Sequence, residues 1–283
     1  MLDELLEAWE LTVEDEAWHG FCSLVLPVVT AREDRAVLKI GLPDDESEHE
    51  HLVLQRWRGR GAVRLLRSDP SRRAVLLERL DRHDLSDHWD VEACEIVAGL
   101  YRILHVPVMP QLRTQASYVA RWAAALAADA KTVPVPRRMV DQALALARDL
   151  CAEPATAVIH GDLHYGNVLL GERGGEERWL AIDPKPTNGD PHYELLPMLG
   201  NRFEDYTGPG TTGSARDGIR RRFHTLLDAA DLDEGRARGW VIVRSILRAH
   251  WVHGAAVGAG REPTAREQDH ITRCIMIAKA VQD

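Results

Sequence analysis

The spacing of hydrophobic and polar residues changes along the chain, and the changes mark out its elements. Residues 2–9 place apolar side chains at helical intervals and predict a short N-terminal helix. Two runs rich in Val, Leu and Ile follow at 21–30 and 35–40; the polar Ala31-Arg32-Glu33-Asp34 between them reads as a hairpin turn. Pro27 cannot donate to a ladder, which predicts an edge or bulged strand for the first run. After the turn Gly41-Leu42-Pro43-Asp44, an amphipathic helix is expected over 45–57. Runs at 62–66 and 74–80 complete five strands if a short one lies near Leu11. From Asp90 the period becomes helical, at 91–105, 118–128 and 138–150, with Pro134-Val135-Pro136 separating the last two. A second β region is expected at 157–159, 168–170 and 179–182, its last two runs flanking a turn that contains Gly174-Gly175. A helix over 192–199 and three more over 215–230, 234–257 and 264–281 finish the chain. The pattern is therefore α+β, with a β-rich lobe in 1–81 and a helical lobe in 82–283.

Composition adds constraints. The 283 residues, 45% of them hydrophobic, can supply a substantial core without covalent staples. Cys22, Cys94, Cys151 and Cys274 are too scattered for a disulfide framework or a zinc ribbon, which fits a reducing, cytoplasmic setting. The acidic start Met1-Leu2-Asp3-Glu4 is unlike a signal peptide, and no apolar run reaches the length of a membrane span, so no membrane partner is expected. The formal charge of −9 argues against nucleic-acid binding and favours a cationic small molecule as partner. The chain is expected to act as a monomer or weak dimer.

The candidate chemistry gathers in His160-Gly161-Asp162-Leu163-His164-Tyr165-Gly166-Asn167 and in Ile182-Asp183-Pro184. An acid, an amide five positions on and a second acid form the set that metal-assisted phosphoryl transfer requires: one side chain to orient the accepting hydroxyl, two to hold Mg²⁺ against nucleotide phosphates. The hairpin between them is expected to return Asp183 beside Asn167. Lys39 stands among strand formers in Ala36-Val37-Leu38-Lys39-Ile40, and Glu50 in the next helix, one turn before Leu54, is the expected partner, with Glu46 the second choice. The abrupt change from apolar to charged residues in Leu76-Leu77-Glu78-Arg79-Leu80-Asp81 suits a hinge whose backbone meets an adenine edge.

These motifs, with Gly189-Asp190-Pro191, resemble the aminoglycoside phosphotransferase family of the protein-kinase-like superfamily. Trp179-Leu180-Ala181-Ile182-Asp183-Pro184-Lys185, Glu50-His51-Leu52-Val53-Leu54 and Arg64-Leu65-Leu66 resemble its streptomycin 6-phosphotransferase and hydroxyurea phosphotransferase group. The resemblance runs from about residue 18 to about residue 202 and implies a two-lobed protein-kinase-like fold that uses ATP and Mg²⁺. By it, Asp162 is the catalytic aspartate, Asn167 and Asp183 hold the metal, Lys39 and Glu50 position phosphate, Glu78 and Leu80 form the hinge, and His160 supports the loop. Gly20 and Ser23 are the phosphate contacts it implies in the covering loop 16–23, although that loop has a single glycine. Tyr165 stands where the family often has proline. The expected acceptor is a streptomycin-like aminoglycoside, with hydroxyurea or an amino sugar as alternatives.

Two other readings compete. His160, Asp162 and His164 are residue types that ligate metal in hydrolases, but no His-Glu-x-x-His helix is present and glycine follows His160. A nucleotide-binding module without catalysis is disfavoured by the presence of all three catalytic-side residues. On the acceptor side, Glu204, Asp205 and Asp228 are candidates for pairing with a cationic group. Asp190 is read either as a loop brace or as a substrate contact, and Glu194 as a helix-dipole partner. The loop 207–213 is a candidate cover, and Trp240, Trp251, His250 and His253 are read as helix core.

Overall fold

The computed structural model describes residues 1–20, 23–208 and 213–282. In chain order its elements are α1 (Leu2–Ala8), β1 (Leu11–Val13), β2 (Trp18–His19), β3 (Ser23–Thr30), β4 (Arg35–Gly41), α2 (Glu50–Trp57), β5 (Leu65–Asp69), β6 (Ala74–Glu78), α3 (Asp90–Leu104), α4 (Gln115–Ala128), α5 (Arg137–Cys151), β7 (Ala157–Ile159), β8 (Val168–Arg173), β9 (Glu176–Ala181), β10 (Thr187–Gly189), α6 (Leu196–Gly200), α7 (Glu204–Thr207), α8 (Ala215–Ala230), α9 (Glu234–Gly258) and α10 (Ala265–Ala280). The chain divides into two compact units, Met1–Leu85 with Gly166–Pro186, and Ser86–Tyr165 with Thr187–Asp283. The expected division was contiguous, at 81/82; the observed one assigns the β8/β9 hairpin to the first unit. Backbone bonds explain this, because Ala181 accepts from Val63 N–H and donates to Gly61 C=O, both at 2.9 Å, and Leu170 C=O accepts from Asp81 N–H at 3.0 Å.

The first unit is built on an antiparallel sheet of order β1-β3-β4-β6-β5, with β2 also paired to β3. Alternation sorts its side chains. Leu26, Val28, Ala36, Leu38, Ile40, Ala74 and Leu76 form one buried face with Leu5 and Trp9 of the N-terminal segment. Lys39 therefore points to the other face. Pro27 does not sit on an edge strand as expected, since β3 lies between β1 and β4. Its C=O accepts from Glu14 N–H, on the side where β1 pairs only with residues 28–30 and β2 only with 24–25. The missing N–H thus faces a gap in the ladder, and pairing with Val37 of β4 survives. Two further expectations shift. Helix α2 starts at Glu50 rather than 45, after a turn in which Asp44 accepts from Ser47 N–H and Ser47 C=O from Glu50 N–H. The strand expected at 62–66 forms at Leu65–Asp69 instead, because Ala62 and Val63 are engaged with Ala181. Gly174 and Gly175, at φ +64° and +83°, make the tight β8/β9 turn, a conformation that favours glycine.

The second unit is helical around the two-stranded ribbon β7/β10, whose register pairs Ile159 with Thr187 and Ala157 with Gly189. The long α9 supplies much of the core, including Trp240, Ile242, Val243 and Ile246. Trp240 and His250 are buried as expected, whereas Trp251 is 46% exposed. The helix expected over 192–199 is a 3₁₀ segment, Pro191–Leu195, followed by α6. Arg222 is completely buried: Nε donates to Asp90 at 3.2 Å, Nη1 to Asn201 C=O at 2.9 Å and Nη2 to Asp205. Its guanidinium lies 4.3 Å from the Tyr206 ring centre and 5.3 Å from that of Tyr165. No helix among the described residues is long and apolar enough to cross a membrane. Phe21 and Cys22 of the proposed covering loop, and 209–212 of the 207–213 loop, lie outside the described residues.

Replacing Arg222 with Met leaves Asp90 buried with only Arg221 and removes a partner of Asp205. Thermal unfolding should show a loss of about 3 kcal/mol, or roughly 6–12 °C in Tm; an unchanged Tm would mean the network carries no stability.

Candidate functional site

In the first unit, the antiparallel register sets Lys39 between Val25 and Val75, on the face opposite the α1 core. The first residue of α2 brings Glu50 to it, both side chains being nearly inaccessible to water. Lys39 Nζ donates to Glu50 Oε1 at 2.8 Å and Oε2 at 2.7 Å, and to Asp183 Oδ1 at 2.5 Å. Burial disfavours the charged ammonium, but Glu50 and Asp183 outweigh that and hold the Lys39 pKa above the ordinary lysine value. Lys39 is a permanent cation. Burial likewise dominates at Glu50 and raises its pKa against the attraction of Lys39. Asp183 has φ +53°, an uncommon backbone conformation that aspartate tolerates, and its side chain is 44% exposed. Ile182 N–H donates to Asn167 C=O at 2.9 Å, and Val168 pairs with Ala181, so the hairpin does return the 182–183 segment beside Asn167. One amide and one carboxylate, both hard oxygen donors with Asp183 partly open to solvent, fit Mg²⁺.

Glu78 closes β6. Its N–H donates to Arg64 C=O at 3.0 Å, its carboxylate accepts from Arg64 N–H at 2.6 Å, and it pairs with Arg173 of the hairpin. Of the hinge backbone expected to meet an adenine, the Glu78 N–H is thus engaged by Arg64. Leu80 follows, before Asp81 N–H is fixed on Leu170 C=O. Gly20 donates its N–H to Ser23 C=O at 2.8 Å, bringing together the two residues expected at the phosphates.

The second unit holds Asp162. Buried β7 leads into His160, and Gly161 adopts φ +84°. Glu194, fully buried, accepts from His160 N–H at 2.5 Å and from Gly161 N–H at 3.0 Å. Burial raises its pKa, but His105, 3.4 Å away, and His160 overcome this and keep it below the usual glutamate range. Arg244 of α9 donates to Gly161 C=O at 2.9 Å and to Tyr193 C=O at 2.6 Å. The peptides entering the 160–167 loop are thus held from both sides. His160 Nδ1 accepts from Asp162 N–H at 3.3 Å, which makes the imidazole an internal brace. His160 is wholly buried, and no group of three or more His, Cys, Asp or Glu side chains among the described residues is arranged to hold a metal ion. Tyr165, also buried, lies under the guanidinium groups of Arg202 and Arg222, 4.8 and 5.3 Å from its ring centre. The chain passes from the second unit to the first between Tyr165 and Gly166, so Asp162 and Asn167 belong to different units.

The pairing of three acids separates the readings left open by the sequence. Glu194 is a loop clamp, accepting from His160 and Gly161 N–H, rather than the helix-dipole partner that was its leading reading. Asp205 is engaged by Arg222 and Arg202, and is not available to an acceptor cation, while Glu204 and Asp228 are exposed. Asp190 is a brace: it accepts from His192 N–H at 3.1 Å and His192 Nδ1 at 2.6 Å, and also pairs with Arg236 and Trp240 Nε1. Only the acidic residue following Gly189 and the turn-forming Pro191 hinted at that role.

A family profile described as aminoglycoside/hydroxyurea antibiotic resistance kinase matches residues 8–256. A streptomycin 6-kinase of Streptomyces glaucescens is 40% identical over 261 residues, covering 89% of this chain and 81% of the relative. A hydroxyurea phosphotransferase of Kitasatospora aureofaciens is 41% identical over 255 residues, covering 88% and 71% respectively. Among solved structures, a choline kinase of Streptococcus pneumoniae shares the fold at a TM-score of 0.64 and 13% identity, over 99% of this chain and 96% of that one. The α+β, protein-kinase-like architecture expected from the sequence is thereby observed.

Two tests follow from the geometry. Burial raises the Asp190 pKa, but His192 and Trp240 lower it more, to about 2 from the ordinary 3.8. Its contribution is therefore complete above pH 4 and is lost as the pH falls through about 2; Asp190→Asn should lose about 2 kcal/mol at neutral pH and flatten acid unfolding in that window. In Glu194→Gln, an amide NH₂ must face one of the two loop N–H groups. Steady-state kinetics should show turnover reduced by about tenfold or more with nucleotide KM little changed.

Proposed function

The chain belongs to the aminoglycoside/hydroxyurea antibiotic resistance kinase family, and we propose that it transfers the γ-phosphate of ATP to a hydroxyl of a streptomycin-like aminoglycoside in the cytoplasm. The observation that carries the donor side is the buried ammonium of Lys39, held by Glu50 and Asp183. A lysine confined in this way, beside the segment with the oxygen ligands, is suited to meeting the α- and β-phosphates when nucleotide arrives. Asn167 and Asp183 would hold Mg²⁺, which when bound supplies charge neutralisation at the phosphates. Lys39 then exchanges its contact with Asp183 for phosphate oxygens, while Glu50 keeps it oriented. Gly20 and Ser23 contact phosphate from the covering loop, and the Leu80 backbone contributes to the adenine contact.

Asp162 orients the acceptor hydroxyl and takes its proton late, because bond formation lags behind bond cleavage in a loose phosphoryl-transfer transition state. The clamp of Glu194 and Arg244 on Gly161 keeps that carboxylate in position, so little reorganisation is needed during the reaction. The net charge of −9 supports a cationic acceptor, and exposed Glu204 and Asp228 are the acids left to meet one. Hydroxyurea is a second acceptor reading, favoured by the 41% identity to a hydroxyurea phosphotransferase. An amino sugar is a further alternative.

The test is ADP release with Mg²⁺-ATP against streptomycin, related aminoglycosides, hydroxyurea and small amino sugars. Acceptor-dependent release with streptomycin is expected; its absence with every acceptor rejects the proposed chemistry, and release with hydroxyurea alone replaces the acceptor. Asp162→Asn should lower turnover by about 10²–10⁴-fold while ATP affinity, measured by calorimetry, stays within about threefold. Lys39→Ala should weaken both.

A further inference from the structure

Arg173 is the last residue of β8, and the phosphate-transfer chemistry described above does not use it. Its guanidinium leaves the hairpin and enters the connection between α2 and β5. Nε donates to Gly59 C=O at 3.1 Å; Nη1 donates to Glu172 C=O at 2.8 Å and to Glu78 Oε2 at 3.1 Å; Nη2 donates to Ala62 C=O at 3.3 Å and to Glu78 Oε1. A guanidinium has five N–H groups, and each of them is engaged here: two on one carboxylate, three on carbonyl oxygens. The backbone makes room for it, since Gly59 has φ +74° and a β-carbon there would stand 3.4 Å from Nη2. With side-chain exposures of 21% and 19%, Arg173 and Glu78 form a sheltered pair.

Glu78 opens a segment that runs along β8 in the opposite direction. Leu80 Cδ2 lies against Gly171, where a β-carbon would come within 2.8 Å of it. Asp81 N–H donates to Leu170 C=O at 3.0 Å, His83 C=O accepts from Leu170 N–H at 2.9 Å, and Asp84 bridges Leu169. Within this track the N–H and C=O of Leu80 have no hydrogen-bond partner among the described residues. Residues 79 and 80 span from the sheet, which ends at Glu78, to the hairpin, which takes Asp81. The spacing of sheet and hairpin therefore decides where the Leu80 backbone sits. Arg173 sets that spacing at this end of the hairpin, because it belongs to one side and grips both carboxylate oxygens of the other.

We propose that Arg173 is a positioning residue for recognition of the nucleotide base. By tying Glu78 to the hairpin it holds the Leu80 N–H and C=O where they meet the base edge, and it does so without touching phosphate. This inference rests on the donor-side reading given above. Lysine is no substitute, because three donors on a single nitrogen cannot reach two carboxylate oxygens and three carbonyls at once.

The test compares wild type, Arg173→Lys and Arg173→Met by calorimetric titration with Mg²⁺-ATP and with Mg²⁺-tripolyphosphate, which offers the phosphates without a base. In both variants ATP affinity should fall about tenfold while tripolyphosphate affinity stays within about threefold. Should Arg173→Met fail to fold, Arg173→Lys and Glu78→Gln, which keeps the side-chain shape and removes its charge, carry the test, and both should show the same split. A role confined to stability would lower Tm and weaken both ligands together; that result overturns the proposal, and so does an unchanged ATP affinity. A wild-type chain that binds tripolyphosphate as tightly as ATP makes no base contact, which overturns the proposal and leaves the phosphate chemistry standing. A wild-type chain that binds neither rejects the donor-side reading and the proposal with it.

Discussion

Lys39 carries an ammonium group to 8% exposure, a placement that is tolerable only if opposite charge meets it. Much of the first unit's construction follows from that requirement. The sheet must offer the lysine on the face away from the α1 core, α2 must begin at Glu50, and the hairpin must come back at Asp183. These conditions come from three separate segments, joined by three short hydrogen bonds to one nitrogen. The pairing also leaves an asymmetry. Glu50 is almost completely buried, so its bond to Lys39 has no solvent competitor, whereas Asp183 is open enough to exchange partners. A cation with one permanent and one replaceable counter-charge is suited to receiving a phosphate.

The second unit solves a related problem with a buried carboxylate. Glu194 has no solvent exposure, and two consecutive loop N–H groups together with His105 supply what water would have given it. A carboxylate satisfied in this way fixes the backbone that satisfies it. Arg244 adds a bond to the far side of the same peptide, so Gly161 is constrained at both its N–H and its C=O. The left-handed conformation of Gly161 suits a residue without a β-carbon, which explains why glycine stands between His160 and Asp162.

What could be read in the sequence follows from the range of each interaction. The β-rich and helical halves, the β8/β9 hairpin and the pairing of Lys39 with Glu50 were legible because they depend on periodicity and on motifs a few residues long. Pro27 misled because its effect depends on which flank of β3 is unpaired, a matter settled by the lengths of β1 and β2. The start of α2 was anticipated five residues early, since acidic residues at 45–49 fit a helix as well as the turn they form. The assignment of 166–186 to the first unit depends on bonds between Gly61, Val63 and Ala181, more than a hundred residues apart. Glu194 and Asp205 were misjudged for a similar reason: the loop N–H groups that Glu194 holds are 33–34 residues away and the buried Arg222 that Asp205 meets is 17 away, although Asp205 also pairs with the nearby Arg202.

Whether an acid is paired or exposed decides how much the acidic balance says about the acceptor. The net charge of −9 sums acids and bases wherever they lie, but a cation approaching the protein responds chiefly to acids at the surface without a basic partner. Asp90 and Asp205 are matched by Arg222, Asp190 by Arg236, and Glu194 by the loop amides and His105. These acids stabilise the second unit from within and contribute little to its outward field. Any attraction for a cation therefore rests on the exposed acids, of which Glu204 and Asp228 are two. The donor side uses the same few groups for any acceptor and can be recognised by motif. Which acids remain exposed once the interior ion pairs have formed depends on three-dimensional pairing, which no local pattern encodes.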